Sequence, residues 1–119
     1  LDRLGPKRIV IASSAPPICF PDCYGIDMST LGELVAFRAL VNLAGADSLT
    51  PETDLRTLYA RFPQEVLSAE IARLLKPEGM KAEVEVVFQT NEALRRACPE
   101  TTGDWYFTGN YPTPGGYRV

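Results

Sequence analysis

The groups most able to do chemistry in this chain are a few carboxylates and thiols, because the sequence contains no histidine. Without an imidazole there is no Ser-His-Asp or Cys-His arrangement and no histidine ligand for a metal. Of the three cysteines, Cys19 and Cys23 have C-x3-C spacing with no second pair. This spacing predicts neither a disulfide framework nor a zinc site. We therefore expect reduced thiols, as in a cytoplasmic protein.

The carboxylate best placed for function is that of Asp27, which ends the segment Tyr24, Gly25, Ile26, Asp27. It follows a predicted strand and a proline-rich loop, and ligands of open α/β sheets bind past the carboxyl ends of strands. Asp27 could equally cap the helix predicted after it, and spacing favours neither interpretation. Glu83 and Glu85 share one strand face, where we expect solvated side chains because nothing buries them.

Two strands and four helices are predicted to position these groups, which gives an α/β fold class. The continuous apolar run at residues 7–13 is typical of a parallel strand that is buried on both faces. The two-residue apolar period at 82–89 indicates a strand with one face on the core.

The helices follow from apolar spacing and from capping residues. The predicted caps are Ser29 or Thr30, Thr50, and Thr90 or Asn91. The predicted helical ranges are 29–44, 51–62, 63–76 and 90–98.

Length and composition indicate a single globular segment, 1–119. The chain has 119 residues, a formal net charge of −3 and 45% hydrophobic residues, which suits one domain or a piece of one. No apolar run approaches the roughly 20 residues of a membrane span, and no clustered basic face is available for nucleic acid. Neither a membrane nor a nucleic-acid partner is expected. The chain begins with Leu1 rather than Met, so we expect a fragment.

The last segment, 101–119, is a tail rich in glycine, proline and aromatic residues, and regular structure should be sparse there. Its rings could stack on a nucleotide base, but pinning the tail to the body is the favoured interpretation. An alternative function is therefore a non-catalytic α/β module that binds a partner or a nucleotide.

Residues 12–27 carry the pattern A-S-x-x-P-x-x-x-x-P-x-x-Y-G-I-D, followed by E-L-V-A at 33–36. This pattern resembles the amidophosphoribosyltransferases. Residues 107–112 are similar to the F-T-G-x-Y-P tail of that family. Residues 47–81 match nothing in it, and we expect them to be a helical insertion.

The resemblance implies the carboxyl-terminal part of the type I phosphoribosyltransferase half of such an enzyme. These enzymes hydrolyse glutamine in one domain and pass the ammonia to phosphoribosyl pyrophosphate in another, making 5-phosphoribosylamine in the first step of de novo purine biosynthesis. The catalytic residues would lie outside this chain, and the chain alone would be inactive. The implied partners are the glutaminase domain, the core that binds phosphoribosyl pyrophosphate, and further copies in a homo-oligomer. Mg2+ is expected in the full-length enzyme.

By the same resemblance, Tyr24, Gly25, Ile26 and Asp27 lie where the transferase domain meets the glutaminase domain, and Leu34 belongs to the wall of the ammonia channel. A leucine suits such a wall because it cannot protonate the intermediate. Some family members hold an iron–sulfur cluster, but three cysteines cannot supply four thiolates. We therefore expect no cluster and no other metal in this chain. A feedback site for AMP or GMP, formed with a neighbouring subunit, stays open.

Overall fold

Two parallel strands and five α-helices form the fold in a computed structural model that describes residues 1–22, 28 and 30–113. The elements are β1 (Arg8–Ser13), α1 (Val35–Ala44), α2 (Leu55–Tyr59), α3 (Gln64–Leu75), β2 (Glu83–Phe88), α4 (Asn91–Ala97) and α5 (Trp105–Thr108). In this described part of the chain, no helix is long and apolar enough to cross a membrane.

The two strands lie where the sequence predicts them and pair in parallel. Arg8 is opposite Glu83 at one end of the pair, and Ser13 is opposite Phe88 at the other. On β2, Val86 is buried while Glu83 and Glu85 are exposed, which confirms the predicted alternation. The α/β fold class is therefore correct, and both carboxyl ends of the strands lie at the same edge of the sheet.

The prediction that β1 is buried on both faces is wrong for this chain. Val10 is 53% exposed and Ile11 is 42% exposed, although neighbouring residues of a strand point to opposite faces. The reason is that α3 packs against β2, and β1 has β2 as its main contact. Both faces of β1 therefore carry uncovered apolar side chains.

The predicted helix at 29–44 is broken, and α1 begins only at Val35. Residues 31–33 form a single 3-10 turn, and the Thr30 side chain makes no capping hydrogen bond. Leu34 then takes an extended conformation (φ −74°, ψ +120°) and is 7% exposed. Gly32 weakens helix formation here, and the extended residue buries the Leu34 side chain.

The predicted helix at 51–62 is shorter in the structure, where α2 covers Leu55–Tyr59. Thr50 is not its cap, because it lies in a separate turn, where its carbonyl accepts from the Thr53 N–H at 2.9 Å, five residues before α2 begins. Asp54 is the cap, and its carboxylate accepts from the Arg56 N–H at 3.1 Å. Aspartate is also a stronger capping residue than threonine.

The other two predicted helices, 63–76 and 90–98, are confirmed to within one residue at each end. Pro63 precedes α3. Thr90 caps α4, since its hydroxyl accepts from the Ala93 N–H at 3.1 Å. These two helices have strong local start signals, which explains why their boundaries are predictable.

The core lies where α1 packs on α3 and α3 packs on β2. Four large side chains at its centre are almost fully buried: Phe20, Leu40, Leu55 and Ile71. Burying each contributes about 1.5–3 kcal/mol relative to leaving it exposed. Phe20 belongs to the proline-rich loop, so this loop is anchored in the core. Leu55 and Ile71 show that segment 47–81 is part of the same core, and its status as an insertion stays a prediction.

Candidate functional site

A cavity of about 420 Å3 lies beyond the carboxyl ends of the two strands. Ser13 at the end of β1 and Phe88 at the end of β2 are paired in the sheet, and both line this cavity. Its walls come from these strand ends, the proline-rich loop and the start of α1, and consist of Ser13, Ala15, Pro16, Pro17, Ile18, Met28, Glu33, Leu34, Val35, Ala36 and Phe88. This is the location at which open α/β sheets bind ligands.

Leu34 is one of the residues that line the cavity, and its assignment to an ammonia channel stays a prediction. Its N–H donates to the Leu31 carbonyl at 3.0 Å, and its own carbonyl accepts from the Arg38 N–H at 3.1 Å. The residue thus joins the 3-10 turn to α1 with both backbone groups satisfied. The break in the predicted helix is what brings the Leu34 side chain into the wall.

The proline-rich loop forms the opposite part of the wall. The Ser13 hydroxyl donates to the Ala15 carbonyl at 2.9 Å, which turns the chain sharply out of β1. Pro16 and Pro17 follow and are both buried. The Cys19 thiol donates to the Pro17 carbonyl at 3.4 Å. Burial raises the pKa of this thiol to about 12, so at neutral pH it is protonated and is not a nucleophile.

The predicted site segment, Tyr24 to Asp27, lies outside the described residues. Asp22 and Met28 are the nearest described residues before and after it, and the Asp22 N–H donates to the Met28 carbonyl at 2.9 Å. Met28 lines the cavity. It has φ +60°, a left-handed conformation that residues other than glycine seldom adopt and that often occurs at functional sites.

The cavity wall is almost neutral. Glu33 is the single ionisable side chain among the described lining residues, and it is exposed to solvent. The other members of the wall are apolar apart from Ser13, whose hydroxyl is engaged with the loop backbone. No group of three or more Cys, Asp or Glu side chains in the described ranges is placed to hold a metal ion. Such a wall offers a small molecule apolar contacts and few proton donors.

A larger groove of about 770 Å3 runs between α3 and β2, but its residues do not assemble a reactive group. Glu83 and Glu85, considered as a carboxylate pair from the sequence, are at its rim. Both are exposed and lie 3.6 and 3.5 Å from the Arg8 guanidinium. Exposed ion pairs of this kind contribute little to stability.

Of the lining residues, only Leu34 is named as a site residue from the sequence, and Phe88 and Met28 are among those that sequence reasoning misses. Phe88 ends β2, whose alternation of apolar and polar residues is clear. Its position at the carboxyl end of a strand could have indicated a ligand site. Met28 carries no local signal, because a positive φ at methionine cannot be inferred from its neighbours.

The resemblance to amidophosphoribosyltransferases is confirmed by comparison with curated proteins. The amidophosphoribosyltransferase of Pasteurella multocida (strain Pm70) is 42% identical over 65 residues, which cover 51% of this chain and 13% of the relative. Those of Escherichia coli (strain K12) and Haemophilus influenzae are each 45% identical over 49 residues, covering 38% of this chain and 10% of the relative. The matched part of the chain thus spans 13% or less of the length of these relatives. No family model matches the chain, and no solved structure matches it.

Proposed function

We propose that this chain is the carboxyl-terminal part of the phosphoribosyltransferase half of an amidophosphoribosyltransferase, with the type I fold. The complete enzyme makes 5-phosphoribosylamine from phosphoribosyl pyrophosphate and glutamine, in the cytoplasm. The observation that carries this proposal is the 42% identity over 65 residues to a named amidophosphoribosyltransferase. The parallel strand pair supports it as well, because such a pair fits within a larger parallel sheet.

In this proposal the cavity beside Leu34 is part of the passage for ammonia. Ammonia stays reactive only while it is neutral, so its passage needs a wall that excludes water and offers no proton. Leu34 is 7% exposed and lies among alanine, valine and proline side chains. The exposed carboxylate of Glu33 is at the solvent side of this wall.

In this proposal, the remaining parts of the enzyme lie outside these 119 residues. The glutaminase domain and the core that binds phosphoribosyl pyrophosphate supply the catalytic residues and the Mg2+ site, and the enzyme is a homo-oligomer. Asp27 lies at the junction of the two domains. This chain holds no iron–sulfur cluster and has no activity alone. The uncovered apolar side chains of Val10 and Ile11 support further polypeptide that packs on both faces of the sheet.

The test is Leu34→Lys in the enzyme expressed from its complete reading frame. The reaction releases one pyrophosphate for each glutamate when ammonia transfer is fully coupled. In the variant we expect the pyrophosphate-to-glutamate ratio to fall severalfold, because a charged side chain in the wall admits water. Phosphoribosylamine formation from added ammonium chloride should be retained, which shows that the variant is folded.

Leu75→Lys is the matched control, since Leu75 is 44% exposed on α3 and away from the cavity. It should leave the ratio unchanged. An unchanged ratio in Leu34→Lys would remove the channel assignment. Glutamine hydrolysis or phosphoribosyl transfer by the purified 119-residue chain would overturn the placement of the catalytic residues elsewhere.

A further inference from the structure

The tail segment around α5 holds the proline-rich loop through three hydrogen bonds. The Tyr106 carbonyl accepts from the Cys19 N–H at 2.9 Å and from the Phe20 N–H at 3.1 Å. The Tyr111 hydroxyl donates to the Pro21 carbonyl. Three consecutive residues of the loop are therefore held by two residues of the tail.

Gly109 gives the tail the shape that these contacts need. It ends α5 in the left-handed conformation (φ +73°, ψ +9°), which turns the chain back toward the loop. A Cβ at this position would lie 2.8 Å from Arg56 Cγ and 2.9 Å from Phe20 Cε1. Arg56 also donates to the Asn110 side chain at 3.3 Å. The tail is thus packed between α2 and the loop.

The held part of the loop lies between two parts of the candidate site. Upstream of it, Pro17 and Ile18 line the cavity. Downstream of it, Asp22 is joined to Met28, on either side of the segment that contains Asp27. The Pro21 carbonyl is thus bound one residue before Asp22, whose N–H is joined to the Met28 carbonyl.

We infer that Tyr111 is a positioning residue for ammonia transfer. Its hydroxyl fixes the proline-rich loop by donating to the Pro21 carbonyl. This inference rests on the proposed function. The hydroxyl touches neither substrate nor product, and it acts through the loop that forms one wall of the passage. When it is removed, the Pro21 carbonyl loses this contact while the Tyr106 carbonyl still holds Cys19 and Phe20. The loop loosens at Pro21, the wall admits water, and part of the ammonia is lost between the two reactions.

The test is Tyr111→Phe in the enzyme from the complete reading frame, with Tyr106→Phe as the matched control. Both variants remove one phenol oxygen from the same tail. The Tyr106 hydroxyl makes no hydrogen bond to the described residues, and the backbone carbonyl of Tyr106, which accepts from the loop, is kept.

Two readouts are combined. Hydrogen exchange at the Cys19 and Phe20 amides reports the loop itself, and the pyrophosphate-to-glutamate ratio reports ammonia transfer. In Tyr111→Phe we expect faster amide exchange and a ratio that falls severalfold, with glutamine hydrolysis and ammonium-dependent synthesis unchanged. In Tyr106→Phe we expect both readouts to stay as in the wild type.

The readouts separate the two proposals. Faster exchange in a protein whose wild type makes no phosphoribosylamine supports the role of Tyr111 in holding the loop and removes the proposed function. An active enzyme in which Tyr111→Phe alters neither exchange nor the ratio overturns the inference. Faster exchange with a fully retained ratio overturns the link from the loop to ammonia transfer.

Discussion

Replacing Gly109 by alanine measures how tightly the tail is packed between α2 and the proline-rich loop. The left-handed conformation at φ +73° costs an alanine about 1–2 kcal/mol. The added methyl group would lie 2.8 Å from Arg56 Cγ and 2.9 Å from Phe20 Cε1. The arginine side chain is partly exposed and can move, but Phe20 is 2% exposed in the core. Such overpacking costs about 1–3 kcal/mol.

These two effects are partly offset, because alanine lowers the conformational entropy of the unfolded chain and so stabilises the folded protein by about 0.4–1 kcal/mol. We therefore expect Gly109→Ala to lower the free energy of unfolding by about 2–4 kcal/mol, as measured by equilibrium urea denaturation. Gly5→Ala is the matched control. Gly5 is also left-handed, with φ +69°, but a Cβ there would have no atom within 4 Å.

The control should therefore cost only the backbone part, about 1–2 kcal/mol before the same offset. The difference between the two variants measures the packing of the tail against Arg56 and Phe20. If Gly109→Ala costs no more than Gly5→Ala, the contact between the tail and the loop is loose, and the reasoning about this contact is refuted.

Two further predictions concern the helices. Hydrogen bonds from Arg73 and, to a smaller extent, from Asn42 lower the pKa of Glu70 from 4.5 to about 2. The contribution of the ionised Glu70 carboxylate to stability is therefore complete above pH 4.5 and is lost as the pH falls through about 2. Glu70→Gln should remove this part of the acid sensitivity in unfolding curves between those pH values, and wild-type sensitivity in the variant would contradict the assignment. Asp54→Ala should lower the free energy of unfolding by about 1 kcal/mol, and Thr50→Ala by less than about 0.5 kcal/mol. Thermal denaturation compares the two, and equal losses would contradict the capping role of Asp54.

The parts of the fold that the sequence predicts correctly are those with local signals. The hydroxyl of Thr90 at the start of α4 and the proline before α3 each act within one helical turn. The start of α1 is predicted wrongly because its determinant is tertiary. Thr30 and Glu33 have the spacing of a capping box, but the burial of Leu34 in the cavity wall favours an extended residue between the turn and the helix.

The candidate site is predictable to a smaller extent. Leu34 is named only through the family resemblance, since a leucine in an apolar segment has no feature of its own that marks a cavity wall. The contact between Tyr111 and Pro21 joins residues 90 positions apart, and no local pattern predicts it. Gly109 is a usable signal of close packing, because a glycine just after a helical turn often takes a left-handed conformation and permits a close approach of the backbone.

The difference between the predicted and the observed burial of β1 bears on the proposed function. Apolar residues on both faces of a strand are favoured where both faces are covered, yet Val10 and Ile11 are about half exposed at 53% and 42%. On the face that Val10 shares, Arg8 interacts with Glu83 and Glu85 toward the amino end of the strands, while Ala12 pairs with the exposed Val87 toward the carboxyl end. The part of this face that requires a cover therefore lies toward the same end of the strands as the cavity. Polypeptide that buries it would reach the end of the sheet at which the cavity lies, which agrees with the proposal that the catalytic core packs beside this chain.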